Sequence, residues 1–222
     1  MSTYYDSRFL QHIEKESINT IVEVGARYGD ESLELAKIFK NAKIYSFECN
    51  PITVEECRKK LDNQQNINFF NFGLGDKDEH LPFYSFVENN DGASSLYKRI
   101  DFDYTQKCTG SVQIKTINTF VKDNNISTID LLCMDIQGYE LNVLKGAYNF
   151  IKKIRYIIME EPKPIIDTNY LPVGVHSKYI NAPSSQEIKS FMTTNGFYEI
   201  ERIEENKIED NVMYINLNLN CT

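Results

Sequence analysis

Short apolar runs alternate with longer stretches of helical period along most of this chain. The runs at Thr20 to Val24, Lys43 to Glu48, INFFNFG, TIDLLCMD and KIRYIIMEEP predict strands, and TIDLLCMD has the continuous apolar character of a strand buried inside a parallel sheet. Between them lie amphipathic segments. Asp30, Glu31 and Ser32 open a helix whose Leu33, Leu35, Ala36, Ile38 and Phe39 face inward. VEECRKKL follows Thr53, which can cap it, TINTFVKDNN reads as a short helix, and YELNVLKGAYNFIKK carries Leu141, Val143, Leu144 and Ala147 on its apolar side. Ser184 or Ser185 caps SQEIKSFMTTN, which Gly196 ends. FYEIERIEEN and NVMYINLNL predict a closing antiparallel pair, LPFYSF and SVQIKTI add strands, and Phe9, Leu10, Ile13 and Ile18 predict a capping helix within 1–18. The expected organisation is one alternating α/β unit over 1–222, without internal repeats. Two long connections interrupt it, NNDGASSLYKRIDFDYTQKC and 162–183, and loops of that length are usually functional or mobile.

The strand ends carry the chemistry. TIVEVGARYG closes an apolar run with Glu23 and then Gly25 and Gly29, and about twenty residues on the next run ends in Glu48. Strand, glycine turn, helix and acid-ended strand make half of a Rossmann-type site, with Glu48 placed to accept hydrogen bonds from two ribose hydroxyls. The turn spells G-x-x-x-G across Gly25, Ala26, Arg27, Tyr28 and Gly29, not the G-x-G-x-x-G that seats a pyrophosphate. Glu23 would repel a pyrophosphate but could help hold the ammonium of a methionine moiety. The segment favours S-adenosylmethionine over NAD; a glycine turn with no ligand is the plain alternative. Gly73-Leu74-Gly75-Asp76 follows the third strand, either as an adenine contact or as a hairpin turn feeding LPFYSF. Ser94 and Ser95 read equally as substrate contacts or as turn closure. Asp135, Glu160 and Glu161 end two further strands on the same edge, and Asp167, Tyr170 and His176 stand in the second long connection.

Charge narrows the partners. A net charge of -8 and a pI near 5.0 provide no basic field for a phosphate backbone, so nucleic acid is not an expected partner. The five cysteines form no C-x-x-C pair and indicate neither a disulfide framework nor a zinc site, as in a reducing compartment. No stretch approaches a membrane span and MSTYYDSRFLQHIEKES has no hydrophobic signal core, so the expectation is a cytoplasmic chain with no membrane partner.

At TIDLLCMDIQGYELNVLKGA the pattern becomes specific. It resembles the FkbM family of S-adenosylmethionine-dependent methyltransferases, which carry Asp-x-x-Gly-x-Glu-x-x-x-Leu-x-Gly-Ala after the fourth strand; Asp135, Gly138, Glu140, Leu144, Gly146 and Ala147 match. The other landmarks follow in order: Glu23, Val24, Gly25, Ala26 and Gly29; Glu48 and Pro51; Gly73 to Asp76; Ser94, Ser95 and Leu96; and a glutamate closing strand five. The resemblance covers Thr20 to Glu161. Arg27 stands where the family usually has asparagine, Cys133 where lysine is common, and Gln137 where glutamate is common.

The resemblance implies a Rossmann-like class I methyltransferase fold, α/β, with a seven-stranded mostly parallel sheet, its last strand antiparallel, and helices on both faces. It implies O-methylation, by family tendency on a sugar or glycan hydroxyl, with a glycosyltransferase as a pathway partner. A non-carbohydrate small-molecule acceptor and a non-catalytic module are the alternatives. Glu48 is assigned to the ribose, Glu23 and the Gly25–Gly29 turn with Ala26 and Arg27 to the methionine end, and Leu74, Gly75 and Asp76 to adenine. Asp135 lies nearest the reacting centre by topology and is expected to contact the cofactor and to act as general base or to orient the acceptor, with His176 as alternative base. Ser94, Ser95, Gln137 and Glu160 are the expected substrate contacts. Asp135 with Glu160 or Glu161 could present hard oxygens to Mg²⁺.

Overall fold

The structure is a computed structural model that describes residues 4–86, 91–99, 106–164 and 177–219. Its strands are β1 (Thr20–Val24), β2 (Lys43–Phe47), β3 (Ile67–Phe70), β4 (Gly73–Leu74), β5 (Glu79–Phe86), β6 (Gln106–Lys115), β7 (Ile129–Met134), β8 (Ile154–Pro162), β9 (Phe197–Glu204) and β10 (Glu209–Asn216). Its α-helices are α1 (Ser7–Leu10), α2 (Asp30–Ile38), α3 (Val54–Leu61), α4 (Ile117–Asp123), α5 (Glu140–Lys145) and α6 (Ser185–Thr194).

Seven strands form one sheet in the order β3-β2-β1-β7-β8-β10-β9. All its pairings are parallel except those of β10, which runs antiparallel to both β8 and β9. The expected fold class and closing antiparallel pair are therefore present. Because side chains alternate along a strand, buried apolar positions supply both faces. Val22, Phe47, Leu132, Met134, Ile157 and Met159 pack with residues of α4, α5 and α6, while Ile21, Ile44, Leu131, Cys133 and Ile158 pack with Phe9 of α1, Leu35 of α2 and Cys57 and Leu61 of α3.

Some local expectations need correction. The N-terminal helix is a single turn, α1, followed by a 3-10 turn at Lys15–Ser17, although Phe9, Ile13 and Ile18 are buried as their spacing predicts. Gly73-Leu74 is no hairpin turn: it is β4, parallel to β6, and β5 joins the other edge of β6 to complete a small second sheet. Thr53 occupies the N-cap of α3 without a side-chain cap bond. The long helix expected from Tyr139 ends at Lys145 and continues as a 3-10 turn, Tyr148–Lys153. At α6 the reading was sufficient, since Ser184 and Glu187 form a capping box.

Topology fixes the site. From β1 the sheet continues to β2 and β3 on one side and to β7 and β8 on the other, so the switch point lies between β1 and β7. Val24 pairs with Met134 there, and Gly25 and Asp135 are the next residues. Reversal of β10 brings its start to the same rim, with Asn211 opposite Glu160 and Glu209 opposite Pro162.

Candidate cofactor and acceptor site

Beyond Val24 the backbone turns sharply. The amides of Gly25 and Ala26 both donate to the Phe47 carbonyl at 2.9 Å, binding the turn to the end of β2. Gly25 has φ +92°, and a Cβ there would collide with the Asp135 carbonyl oxygen, so the turn can approach β7 only without a side chain. Glu48, just past β2, accepts from the Arg27 amide at 2.6 Å and from the Asn50 amide at 2.5 Å. Burial, partly offset by these amides, pushes its carboxyl up to about 7. A carboxylate has about four lone-pair sites, so these amides do not exhaust its capacity to accept.

A cavity of about 400 Å³ opens over this rim, a size in the ~300–1,000 Å³ range of small-molecule sites. Gly25, Glu48, Cys49, Asn50, Gly73 and Leu74 wall its β1–β2 end. Gln137, Glu160, Lys178, Glu205, Asn206, Glu209 and Asn211 wall the opposite end, beyond β7 and β8. Arg27 leaves the turn at φ +50° and its guanidinium pairs with Asp91, which also accepts from the Tyr28 hydroxyl. A Cβ at Gly92 would lie 3.1 Å from the Arg27 Cζ, so the 91–93 segment is seated on that side chain.

Asp135 and Glu160 come together where the far end begins, both on the cavity wall. The Gln137 side-chain amide donates to Asp135 Oδ1 at 2.6 Å and to Glu160 Oε2 at 3.0 Å, and the Tyr179 hydroxyl donates to Gln137 Oε1 at 2.5 Å. The two carboxyl oxygens, as acceptors, set the Nε2 end of the amide toward the acids, and Tyr179 Oη also lies 3.1 Å from the Ala93 carbonyl. Burial raises the Asp135 carboxyl to about 6, and Glu160 is pushed well above the ordinary range by burial and then by the charge of Asp135. Glu140 Oε1 accepts from the amides of Ile136 and Gly138, which locks the turn after Asp135 and explains the Gly-x-Glu spacing of the motif.

Of the expected site residues, Gly25, Arg27, Glu48, Leu74, Ser94, Ser95, Asp135, Gln137 and Glu160 share this one wall. Ser95 also closes a turn, its Oγ accepting from the Tyr97 amide at 3.0 Å and donating to the Gln137 carbonyl at 2.9 Å, while Ser94 Oγ accepts from the Phe86 amide at 3.1 Å. Six others are placed off the wall. Glu23 points from β1 into the core, where Ser32 and Ser46 donate to its Oε2, so it braces α2 against the sheet from below the turn. Ala26 and Gly29 face inward, Gly29 against Leu61, and Gly75 faces Ile114 and Tyr139 under the second sheet. Asp76 offers its carbonyl to the Tyr148 hydroxyl. Glu161, adjacent to Glu160, points to the other face of β8 and is held by Tyr214 Oη at 2.6 Å and Arg202 at 3.3 Å. Asp167, Tyr170 and His176 lie outside the described residues.

The Mg²⁺ expectation does not fit these positions. The Gln137 amide sits between Asp135 and Glu160 and donates to both, the role a cation would have, and Glu161 is turned away. Among the described residues no group of three or more His, Cys, Asp or Glu could hold a metal ion. The residues not foreseen are Arg99, Lys178 and the β9–β10 turn with Asn206, Glu209 and Asn211. The turn's position follows from the antiparallel last strand, which sends it back to the carboxyl rim.

A Rossmann-like sheet with its cavity at the switch point defines the class: the fold is that of S-adenosylmethionine-dependent methyltransferases. The structure matches such an enzyme from Aquifex aeolicus at TM-score 0.50 and 14% identity, covering 95% of this chain and 94% of that one. It matches Aeropyrum pernix fibrillarin, solved with natively bound S-adenosyl-L-methionine, at TM-score 0.51 and 14% identity over 91% and 69%. The Methyltransferase FkbM domain model matches residues 23–199, and the chain belongs to that family of S-adenosylmethionine-dependent methyltransferases. It is 22% identical over 169 residues to the 2-O-methyltransferase NoeI of Sinorhizobium fredii, covering 69% of this chain and 67% of NoeI. To the hexuronic acid methyltransferase AglP of Haloferax volcanii it is 24% identical over 150 residues, covering 66% of this chain and 57% of AglP.

Proposed function

We propose that the protein transfers a methyl group from S-adenosylmethionine to a hydroxyl of a sugar or glycan, with a glycosyltransferase of the same pathway building the acceptor. The observation that carries this reading is the single cavity joining the ribose-type acid Glu48 to the acid pair Asp135 and Glu160, lined beyond them by amides and carboxylates suited to hydroxyl groups. Two FkbM relatives, named for a 2-O and a hexuronic acid methyl transfer, support a sugar as the broad acceptor class without fixing its charge.

Glu48 would hold the ribose hydroxyls, and the Gly25 turn would admit the methionine end against β7. When bound, the cofactor supplies a sulfonium methyl, so an O–CH₃ bond forms as the S–CH₃ bond breaks. The chain's task is to hold the acceptor oxygen in line and to take its proton. Asp135 is the base in this reading. Gln137 aims its carboxylate, and Glu160, pushed toward its neutral form, leaves that carboxylate as the proton's destination.

The test pairs binding with turnover. Calorimetry should show S-adenosylmethionine binding to wild type and to Asp135→Asn alike, while radiolabelled methyl transfer to a glycan panel should fall at least about a hundredfold in the variant. Binding of NAD in place of S-adenosylmethionine, or full transfer by Asp135→Asn, would refute the assignment.

A further inference from the structure

We infer that the acceptor carries no anionic group: the end of the cavity beyond β8 accepts an uncharged or amine-bearing polyol and rejects a uronate. This rests on the sugar O-methyltransferase reading and adds a charge class to it. Four acidic side chains face this end, Asp135, Glu205 and Glu209 with Glu160 held toward its neutral form, against two cations, Arg99 and Lys178. Lys178 Nζ lies 3.9 Å from Glu209 Oε2 and is engaged there. The Arg99 guanidinium lies over the rings of Phe86 and Tyr179, at 5.6 and 5.8 Å from their centroids.

The acids are held in place by the turn. Asn206 Oδ1 accepts from the amides of Ile208 and Glu209 at 2.9 and 3.0 Å, and its Nδ2 donates to Glu209 Oε2 at 2.9 Å. Asn211 Nδ2 donates to Glu205 Oε2 at 2.9 Å. These side chains are therefore preset before an acceptor arrives. They also sense one another, since Asp135, Glu209 and Glu205 are among the charges that hold the Glu160 carboxyl up. An incoming carboxylate would meet the same repulsion with less water to screen it, whereas hydroxyls can donate to these oxygens and an ammonium would gain an ion pair.

The experiment uses a glycan array in which each neutral terminal sugar is printed beside its amino and its uronic-acid counterpart, with radiolabelled S-adenosylmethionine as donor. Label should fall on neutral or amino members at least about tenfold more than on the matched uronates. Glu205→Gln and Glu209→Gln should each narrow that ratio several-fold while calorimetric binding of S-adenosylmethionine is unchanged. Preferential labelling of uronates, or a ratio that neither variant moves, overturns the inference and leaves the sugar reading standing. An array with no label at all, from protein that binds S-adenosylmethionine, overturns the sugar reading and this inference with it.

Discussion

Arg27 and Asp91 join the glycine turn to the segment that carries Ser94 and Ser95, across one side of the cavity. The pair accounts for an arginine where the family usually has asparagine. An ion pair with one partner half exposed contributes about 0–1 kcal/mol to stability, so its larger effect is on the shape of the cavity wall. Arg27→Ala should leave the thermal midpoint nearly unchanged and weaken S-adenosylmethionine about three- to tenfold by calorimetry. Arg27→Lys should recover only part of the loss, because a lysine cannot present the planar fork on which Gly92 rests. An Arg27→Ala protein with wild-type affinity would remove this role.

In the proposed reading Glu48 is the most exacting position of the cofactor half. Glu48→Gln keeps the shape but places an amide where two backbone N–H groups now donate to carboxylate oxygens. Charged hydrogen bonds contribute about 1.5–3 kcal/mol, so affinity for S-adenosylmethionine should fall about ten- to a hundredfold. Titration calorimetry decides it, and a loss below twofold would take the ribose away from Glu48.

Buried carboxyls give the ligand-free protein an unusual pH response. Burial raises Glu23, Glu48 and Glu161 to about 7 and Glu140 to about 8, from the ordinary 4.5. A carboxyl whose folded value exceeds its unfolded value binds more protons in the folded state, so its favourable contribution is complete below about pH 4.5 and is lost as pH rises through 7 to 8. Asp78, Asp91, Glu199 and Glu204, held below the carboxylate range, act oppositely but only at lower pH. Scanning calorimetry should thus give a higher melting temperature near pH 5.5 than near pH 8.5; a midpoint that rises across this interval would contradict these environments.

Gly146 is a packing position. A Cβ there would collide with the carbonyl oxygen of Gly75, and its own carbonyl accepts from the Asn118 amide at 3.1 Å. Gly146→Ala must push the second sheet away from α5 and should cost about 1–3 kcal/mol, measurable by urea unfolding. Unaltered stability would mean that the 73–76 segment yields freely.

Much of this molecule can be read from strand ends. Val24, Phe47, Met134 and Met159 close apolar runs, and the residues after them, Gly25, Glu48, Asp135 and Glu160, all reach one cavity. Sequence position alone does not say which way an acid points. Glu160 and Glu161 are neighbours with opposite surroundings, and Glu23 goes to the core because β1 places it opposite Ser32 of α2 and Ser46 of β2. Local spacing also could not reveal β4, whose two residues are a strand only because β6, far along the chain, pairs with them. Gln137 was legible as a departure from the family motif, but its role depends on Glu160 and Tyr179, which no local pattern brings to it.

The reversed strand β10 gives the two ends of the cavity different structural constraints. The cofactor end is built from turns locked to the sheet interior, whereas the far end is the tip of a hairpin, joined to the sheet through backbone ladders that tolerate a change of loop. In the proposed reading, a change in 205–208 alters the acceptor end alone and leaves the turns of the methyl-donor end as they are.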